Sequence, residues 1–231
     1  MISVKNLKKN YDGVTVLNIP FLDIKQGESF GLVGNNGAGK TTFFSLILDL
    51  RRCSEGKVFS DNLDVSQNEV WKEYTGSYID ENFLIDFLTP DEYFKFIAKI
   101  NDISGHDLDN FYQRFTNFFA GELQNKKKYI RELSKGNQKK VGIAAALLGK
   151  PRVLVLDEPF SNLDPTSQIW LKNHLNELKS NNGMTLLISS HDLNHVTEVC
   201  DRIVILDHGE IVHDLQTSEN TLEELEAYFA L

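Results

Sequence analysis

The hydrophobic positions divide the 231-residue chain into three stretches of different period. In the first, apolar and polar side chains alternate through residues 2–7, 14–17, 21–24 and 29–33, which predicts short strands separated by Asp-Gly and Gln-Gly turns. A glycine-rich loop at 34–40 breaks the alternation, a helical pattern follows over 41–49, and 75–79 reads as another strand. The second stretch runs from about 83 to about 150 and reads as a helical insertion. Residues 83–119 hold ten of the chain's 24 aromatics, and Phe111, Phe115, Phe118 and Phe119 fall on one helical face. Thr89-Pro90-Asp91-Glu92 is a helix-start pattern, with Thr89 as N-cap. These aromatics read first as the core of a small subdomain and second as a partner-binding surface.

After residue 150 the period changes again. Residues 152–156 and 185–189 are nearly continuous apolar runs, as in buried parallel strands. A helix is predicted over 166–179, strands over 202–206 and 210–213 around an Asp-His-Gly turn, and a terminal helix over 221–229. Strands alternating with helices predict a parallel sheet with crossovers.

Composition narrows the function classes. The chain is 41% hydrophobic and 25% charged, ordinary for a soluble domain. Its longest small-and-apolar run, residues 141–149, falls far short of the roughly 20 residues of a membrane span, and the N-terminus shows no secretory core. Two cysteines, Cys53 and Cys200, with no CxxC, exclude a disulfide framework and a cysteine zinc site and suit a reducing cytosol. The net charge of −9 argues against a bare nucleic-acid binder. That charge is unevenly placed: residues 191–231 carry ten acids and one base, Arg202, whereas residues 126–152 carry nine bases and one acid, Glu132. The basic run, Lys126–Lys128 included, reads in the first instance as a solvated helical face.

Chemistry enters at Gly34-Asn35-Asn36-Gly37-Ala38-Gly39-Lys40-Thr41, which matches GxxxxGK[ST] between a predicted strand and a predicted helix. Glycines let backbone N–H groups close on phosphates, and the helix N-terminus favours the anion. Lys40 suits the β- and γ-phosphates, the Thr41 hydroxyl suits Mg²⁺, and Thr42 can reach the α-phosphate. The apolar strand ending in Asp157-Glu158 supplies two carboxylates, one for the metal shell and one to polarise an attacking water. The fold these features predict is α/β: a P-loop NTPase with a RecA-like core sheet, an N-terminal antiparallel β-subdomain and a helical insertion. It forms one domain over 1–231, with 1–82 and 151–231 as core and about 83–150 as the helical subdomain.

With these residues in place, the chain resembles the ATP-binding-cassette (ABC) ATPases over nearly its whole length. Leu133-Ser134-Lys135-Gly136-Asn137-Gln138 is similar to the family's signature motif, usually LSGGQ, and lies 23 residues before Asp157. Ser161-Asn162-Leu163-Asp164 resembles the D-loop, His191 the switch histidine and Tyr11 the aromatic that stacks on adenine. Two departures stand out: Lys135 replaces a common glycine, and Asp80, with Glu81 beside it, stands where the family has the metal-sensing Gln of the Q-loop. The other five histidines read as surface or structural groups, and both cysteines as inert.

The resemblance implies Mg·ATP hydrolysis with Lys40 and His191 stabilising the transferring phosphoryl and Glu158 orienting or deprotonating water. It implies Thr41, Asp157 and Asp80 around Mg²⁺. It also implies a head-to-tail dimer in which Ser134, Lys135 and Gly136 act across the interface on nucleotide held by the other copy, and it places Asp164 among the nucleotide-binding residues. The implied partners are a second cassette and a separate transmembrane permease, with no nucleic acid. The implied place is the cytoplasmic face of the membrane, and the length and signature resemble ABC-2-type exporters. The alternatives are a soluble ABC ATPase acting on DNA or ribosomes and a non-hydrolysing regulatory cassette.

Overall fold

The computed structural model describes residues 1–121 and 127–230. Lys126 therefore lies outside the described residues. The chain begins with β1 (Ile2–Tyr11) and β2 (Val14–Ile24), paired antiparallel. The sequence pattern splits β2 at Pro20, but the strand runs through it. β2 is an edge of its sheet, so the ladder loses nothing from the missing N–H on the outer side. Next come β3 (Ser29–Val33), α1 (Lys40–Ile47), β4 (Glu55–Ser60) and β5 (Leu63–Asp64), then β6 (Thr75–Tyr78). The helical part holds α2 (Pro90–Ile100), α3 (Gly105–Phe119) and α4 (Lys135–Leu148). It returns to β7 (Val153–Leu156), α5 (Pro165–Asn182), β8 (Thr185–Ser190) and α6 (Leu193–Val199), and ends with β9 (Arg202–Asp207), β10 (Glu210–Gln216) and α7 (Thr221–Phe229).

The strands form two sheets. The smaller is antiparallel with order β2-β1-β4-β5; the larger has order β10-β9-β3-β8-β7-β6 and is parallel except for β10. One core joins the small sheet to one face of the large one through Phe43 and Phe44 of α1, with Leu7 and Ile19 on one side and Val155 and Leu187 on the other. The second core fills the opposite face and continues into the helical part through Leu154, Leu156, Phe115 and Phe118.

The aromatic segment resolves into two populations. Phe94, Phe111, Phe115, Phe118 and Phe119 are buried, whereas Phe83, Phe87 and Phe96 are exposed. Thr89 caps α2 as its spacing predicts, its hydroxyl accepting from Glu92 N while Glu92 accepts from Thr89 N at 2.8 Å. The solvated reading of the basic run needs correction. Lys127, Lys128 and Arg131 are exposed, but Lys139 and Lys140 are buried beneath the loop that follows β7. A lysine can be buried when its ammonium finds acceptors, and both find them there.

Candidate nucleotide site

Three parallel strands end side by side. β3 runs into residues 34–39, β7 into Asp157 and Glu158, and β8 into His191. Ligands of open α/β sheets sit at such carboxyl ends. The loop after β3 is shaped by its glycines. A Cβ on Gly34 would lie 2.2 Å from the Leu206 carbonyl oxygen, and Gly39 holds φ 108° immediately before α1. Asn35, Asn36 and Gly37 are exposed and Ala38 is buried. Lys40, Thr41 and Thr42 form the first turn of α1, with Lys40 almost wholly buried.

Polar contacts tie the three strand ends together. Lys40 Nζ donates to the Gly34 carbonyl at 2.6 Å and ion-pairs with Glu158 Oε1 at 3.4 Å. His191 Nδ1 lies 2.9 Å from Glu158 Oε2. Thr41 Oγ1 donates to Asp157 Oδ2 at 2.5 Å, and Ser189 Oγ donates to Asp157 Oδ1. Burial raises the Asp157 pKa, opposed by the Ser189 and Thr41 hydroxyls. Glu158 Oε1 is buried with no hydrogen-bond partner among the described residues. These groups fit Mg·ATP. A hydroxyl beside a buried carboxylate suits an ion that keeps several water and phosphate ligands. A buried lysine, ion-paired with a carboxylate oxygen that has no hydrogen bond, suits a phosphate and the water that attacks it. Thr41 and Asp157 would hold Mg²⁺, which supplies charge neutralisation at the phosphates.

Tyr11, at the end of β1, is held by two cations. Arg51 Nη1 donates to its hydroxyl at 2.6 Å, and Lys9 Nζ sits 4.8 Å from its ring centroid. Asp80 follows β6. Its neighbour Tyr78 accepts the Asp157 N–H at 2.9 Å, so Asp80 sits close to the metal carboxylate in the fold. The Asp80 carboxylate accepts from Asn82 N at 2.6 Å and caps a short turn. Any metal contact it makes comes in addition to that capping bond.

The signature residues open α4. Ser134 is exposed and caps the helix, accepting from Asn137 N at 3.3 Å. A Cβ on Gly136 would lie 2.5 Å from the Asn162 carbonyl oxygen, which fixes α4 against the D-loop.

Two of the implied nucleotide contacts also have partners within the chain. Lys135 ion-pairs with Glu81 at 2.6 Å within the same chain. Both Asp164 oxygens are engaged, by Ser167 N and Oγ as the cap of α5 and by Lys140 Nζ at 2.8 Å. Lys140 above all holds the Asp164 carboxyl well below the usual carboxylate range.

Lys135, through its hydrogen bond, depresses the Glu81 pKa below its ordinary 4.5. The stability this pair contributes is therefore present above pH 4.5 and lost as pH falls through the lower folded value. Lys135→Ala is expected to cost at most about 1 kcal/mol at pH 7, since the pair is partly solvated. Denaturant melts should show that difference vanishing in acid.

Sequence reasoning missed Ser189, Lys139 and Arg51. Ser189 carried a signal, a polar residue closing an apolar strand just before His191. Lys139 carried another, a lysine pair at the head of the apolar run 141–149.

Comparison with known proteins agrees with this geometry. The family profile for ABC transporters matches residues 17–161. The chain is 33% identical to the methionine import ATP-binding protein MetN of Carboxydothermus hydrogenoformans, over 93% of this chain and 66% of that one. It is 32% identical to the bacitracin transport ATP-binding protein BcrA of Enterococcus faecalis, over 95% of this chain and 70% of that one. The dimeric structure of MJ0796, a bacterial ABC transporter cassette, superposes with TM-score 0.81 at 25% identity, over 94% of this chain and 99% of that one.

Proposed function

Because the chain belongs to the ABC transporter family and is one of its ATP-binding ATPases, we propose that it is the motor subunit of a membrane exporter, docked on the cytoplasmic side and working as a dimer of cassettes. In this reading Lys40 and His191 stabilise charge on the transferring phosphoryl, and Glu158 orients or deprotonates the attacking water. Ser134 and the first N–H groups of α4 meet the nucleotide held by the other copy. A monomer is then nearly inactive, because each copy lacks the donors that its partner brings.

The observation that carries the transporter reading is a cleft of about 240 Å³ where the edge strand β6 meets α2 and α4. It is lined by Tyr78, Asp80, Phe83, Leu84, Tyr93 and Gly142 among others, and Phe83 is 60% exposed at its rim. The lining is mixed, with Lys72, Glu73, Asp80 and Asn101 beside the apolar side chains, as suits a contact with the polar end of another protein's helix or loop. This cleft opens next to Asp80 and, through Tyr78, next to Asp157, so an occupant would sense the metal site directly. No helix among the described residues is long and apolar enough to cross a membrane; in this proposal the spanning part is another polypeptide. The relatives are transporter subunits, which favours this over the DNA- or ribosome-directed alternative. Export is proposed from the resemblance of the signature and length to ABC-2-type exporters.

The test is to identify what co-purifies with the Glu158→Gln form in Mg·ATP from solubilised membranes. A multispanning protein supports the proposal, and ribosomal or DNA association overturns it. Phe83→Asp is expected to abolish that co-purification while basal ATPase persists. Loss of ATPase instead would return Phe83 to a structural role.

A further inference from the structure

Lys139 is a buried cation outside the nucleotide-binding set. It lies in the second turn of α4 and is 6% exposed. Burial lowers its pKa against the opposing pull of Glu81, Glu158, Asp157 and Asp80. An ammonium persists at such a site only when acceptors replace its water. Two do: its Nζ donates to the Glu158 carbonyl at 2.6 Å and to Ser161 Oγ at 2.5 Å. Both acceptors belong to the turn that follows β7.

That turn is strained. Glu158 holds φ 47°, in the left-handed region, where a residue with a Cβ stays only if its surroundings impose it. Four contacts impose it. The Glu158 N–H donates to Ser189 Oγ at 2.9 Å, and the Glu158 carbonyl accepts from Ser161 N at 3.3 Å, from Ser161 Oγ at 2.9 Å and from Lys139 Nζ. The first comes from β8 and the two from Ser161 from the turn itself. The lysine alone of the four comes from α4, the helix that Ser134 opens.

We propose that Lys139 is a positioning residue for ATP hydrolysis. It pins the backbone of Glu158 to the signature helix, so the Glu158 carboxylate is aimed when the start of α4 is seated. The inference rests on the reading of Glu158 as the residue that activates water. Without the lysine, the Glu158 carbonyl loses its charged donor and the peptide can relax out of the left-handed region. The carboxylate then leaves its place between Lys40 and His191, to which it now stands at 3.4 and 2.9 Å.

The experiment compares full-length wild type, Lys139→Met, Glu158→Gln and the double variant. Lys139→Met keeps length and burial but removes donor and charge. It is expected to lower kcat by about 10- to 100-fold, the size of a small misplacement of a reacting group. Equilibrium binding of Mg·ATP should be unchanged. In the Glu158→Gln background the added loss should disappear, because two residues that act through one group do not multiply. Lys139→Gln, which retains an N–H donor, should recover part of kcat. Weaker ATP binding with kcat intact, or losses that multiply in the double variant, would overturn the proposal. If Lys139→Met does not fold, Ser161→Ala removes the other acceptor of the clasp and should lower kcat less, again with unchanged binding; no loss there overturns the proposal. Wild-type turnover by Glu158→Gln would remove the reading of Glu158 itself. An inactive Glu158→Gln beside a fully active Lys139→Met would remove only the role of Lys139.

Discussion

Glu158→Gln is expected to bind Mg·ATP with nearly unchanged affinity and to lose turnover by about 10³-fold. That lies within the range for deleting a positioned general base. The substitution keeps the side chain's length and one acceptor oxygen, so the strained turn, the Ser189 contact and the Lys139 contact, all made by backbone atoms, survive. What disappears is the negative charge facing Lys40 and His191. Removing a carboxylate from a space that also receives a polyphosphate relieves repulsion, so binding does not suffer with catalysis. In the dimer proposed above, a nucleotide that binds and is not cleaved holds two cassettes together. Gel filtration of the variant with Mg·ATP should therefore show a dimer where the wild type shows monomer. Isothermal binding and single-turnover hydrolysis separate the two effects, and a variant with wild-type turnover would remove Glu158 from the chemistry.

Phe115→Ala carries the largest expected effect on stability, about 3–5 kcal/mol, the usual cost of truncating a buried aromatic. Phe115 is 2% exposed and joins two helices. Its ring centroid lies 4.5 Å from Phe111 and 5.8 Å from Phe119 on its own helix, and 5.0 Å from Trp170 and 5.5 Å from His174 on α5. Truncation leaves these rings without a common partner and opens the helical part at its junction with the core. Phe96, 43% exposed on α2, is the control, with an expected change within about 0.5 kcal/mol. Urea melts of the two variants decide between core and surface for each residue. Similar losses for both would contradict the division of the aromatic segment into a packed face and an exposed one.

The nucleotide half of the site was legible because its chemistry is local. A phosphate loop needs glycines and a lysine within eight residues, and the chain states them consecutively at 34–41. Asp157 and Glu158 were legible for the same reason, as an acidic pair closing an apolar run. What stayed hidden depends on distant partners. Nothing near Lys139 in sequence shows that its acceptors lie 19 and 22 residues later, so a charged position in a basic run read as solvated. The motif that includes Asp164 likewise says nothing of its two partners in the fold, the start of α5, which it caps, and Lys140. Pro20 misled in the other direction, since the sequence does not say that β2 is an edge strand.

The placement of β3 bears on how the chain comes into being. This strand, which leads into the phosphate loop, ends at Val33, yet its two neighbours in the sheet are β8 and β9, at residues 185–190 and 202–207. During translation it waits unpaired on both edges while more than 150 further residues emerge, and pairings of such long sequence separation form slowly. The antiparallel sheet and the helical part can organise earlier from nearer contacts. Nascent chains released before residue 207 should therefore expose the apolar face of β3 to chaperones, and ATP capture should switch on only when β8 and β9 have left the ribosome.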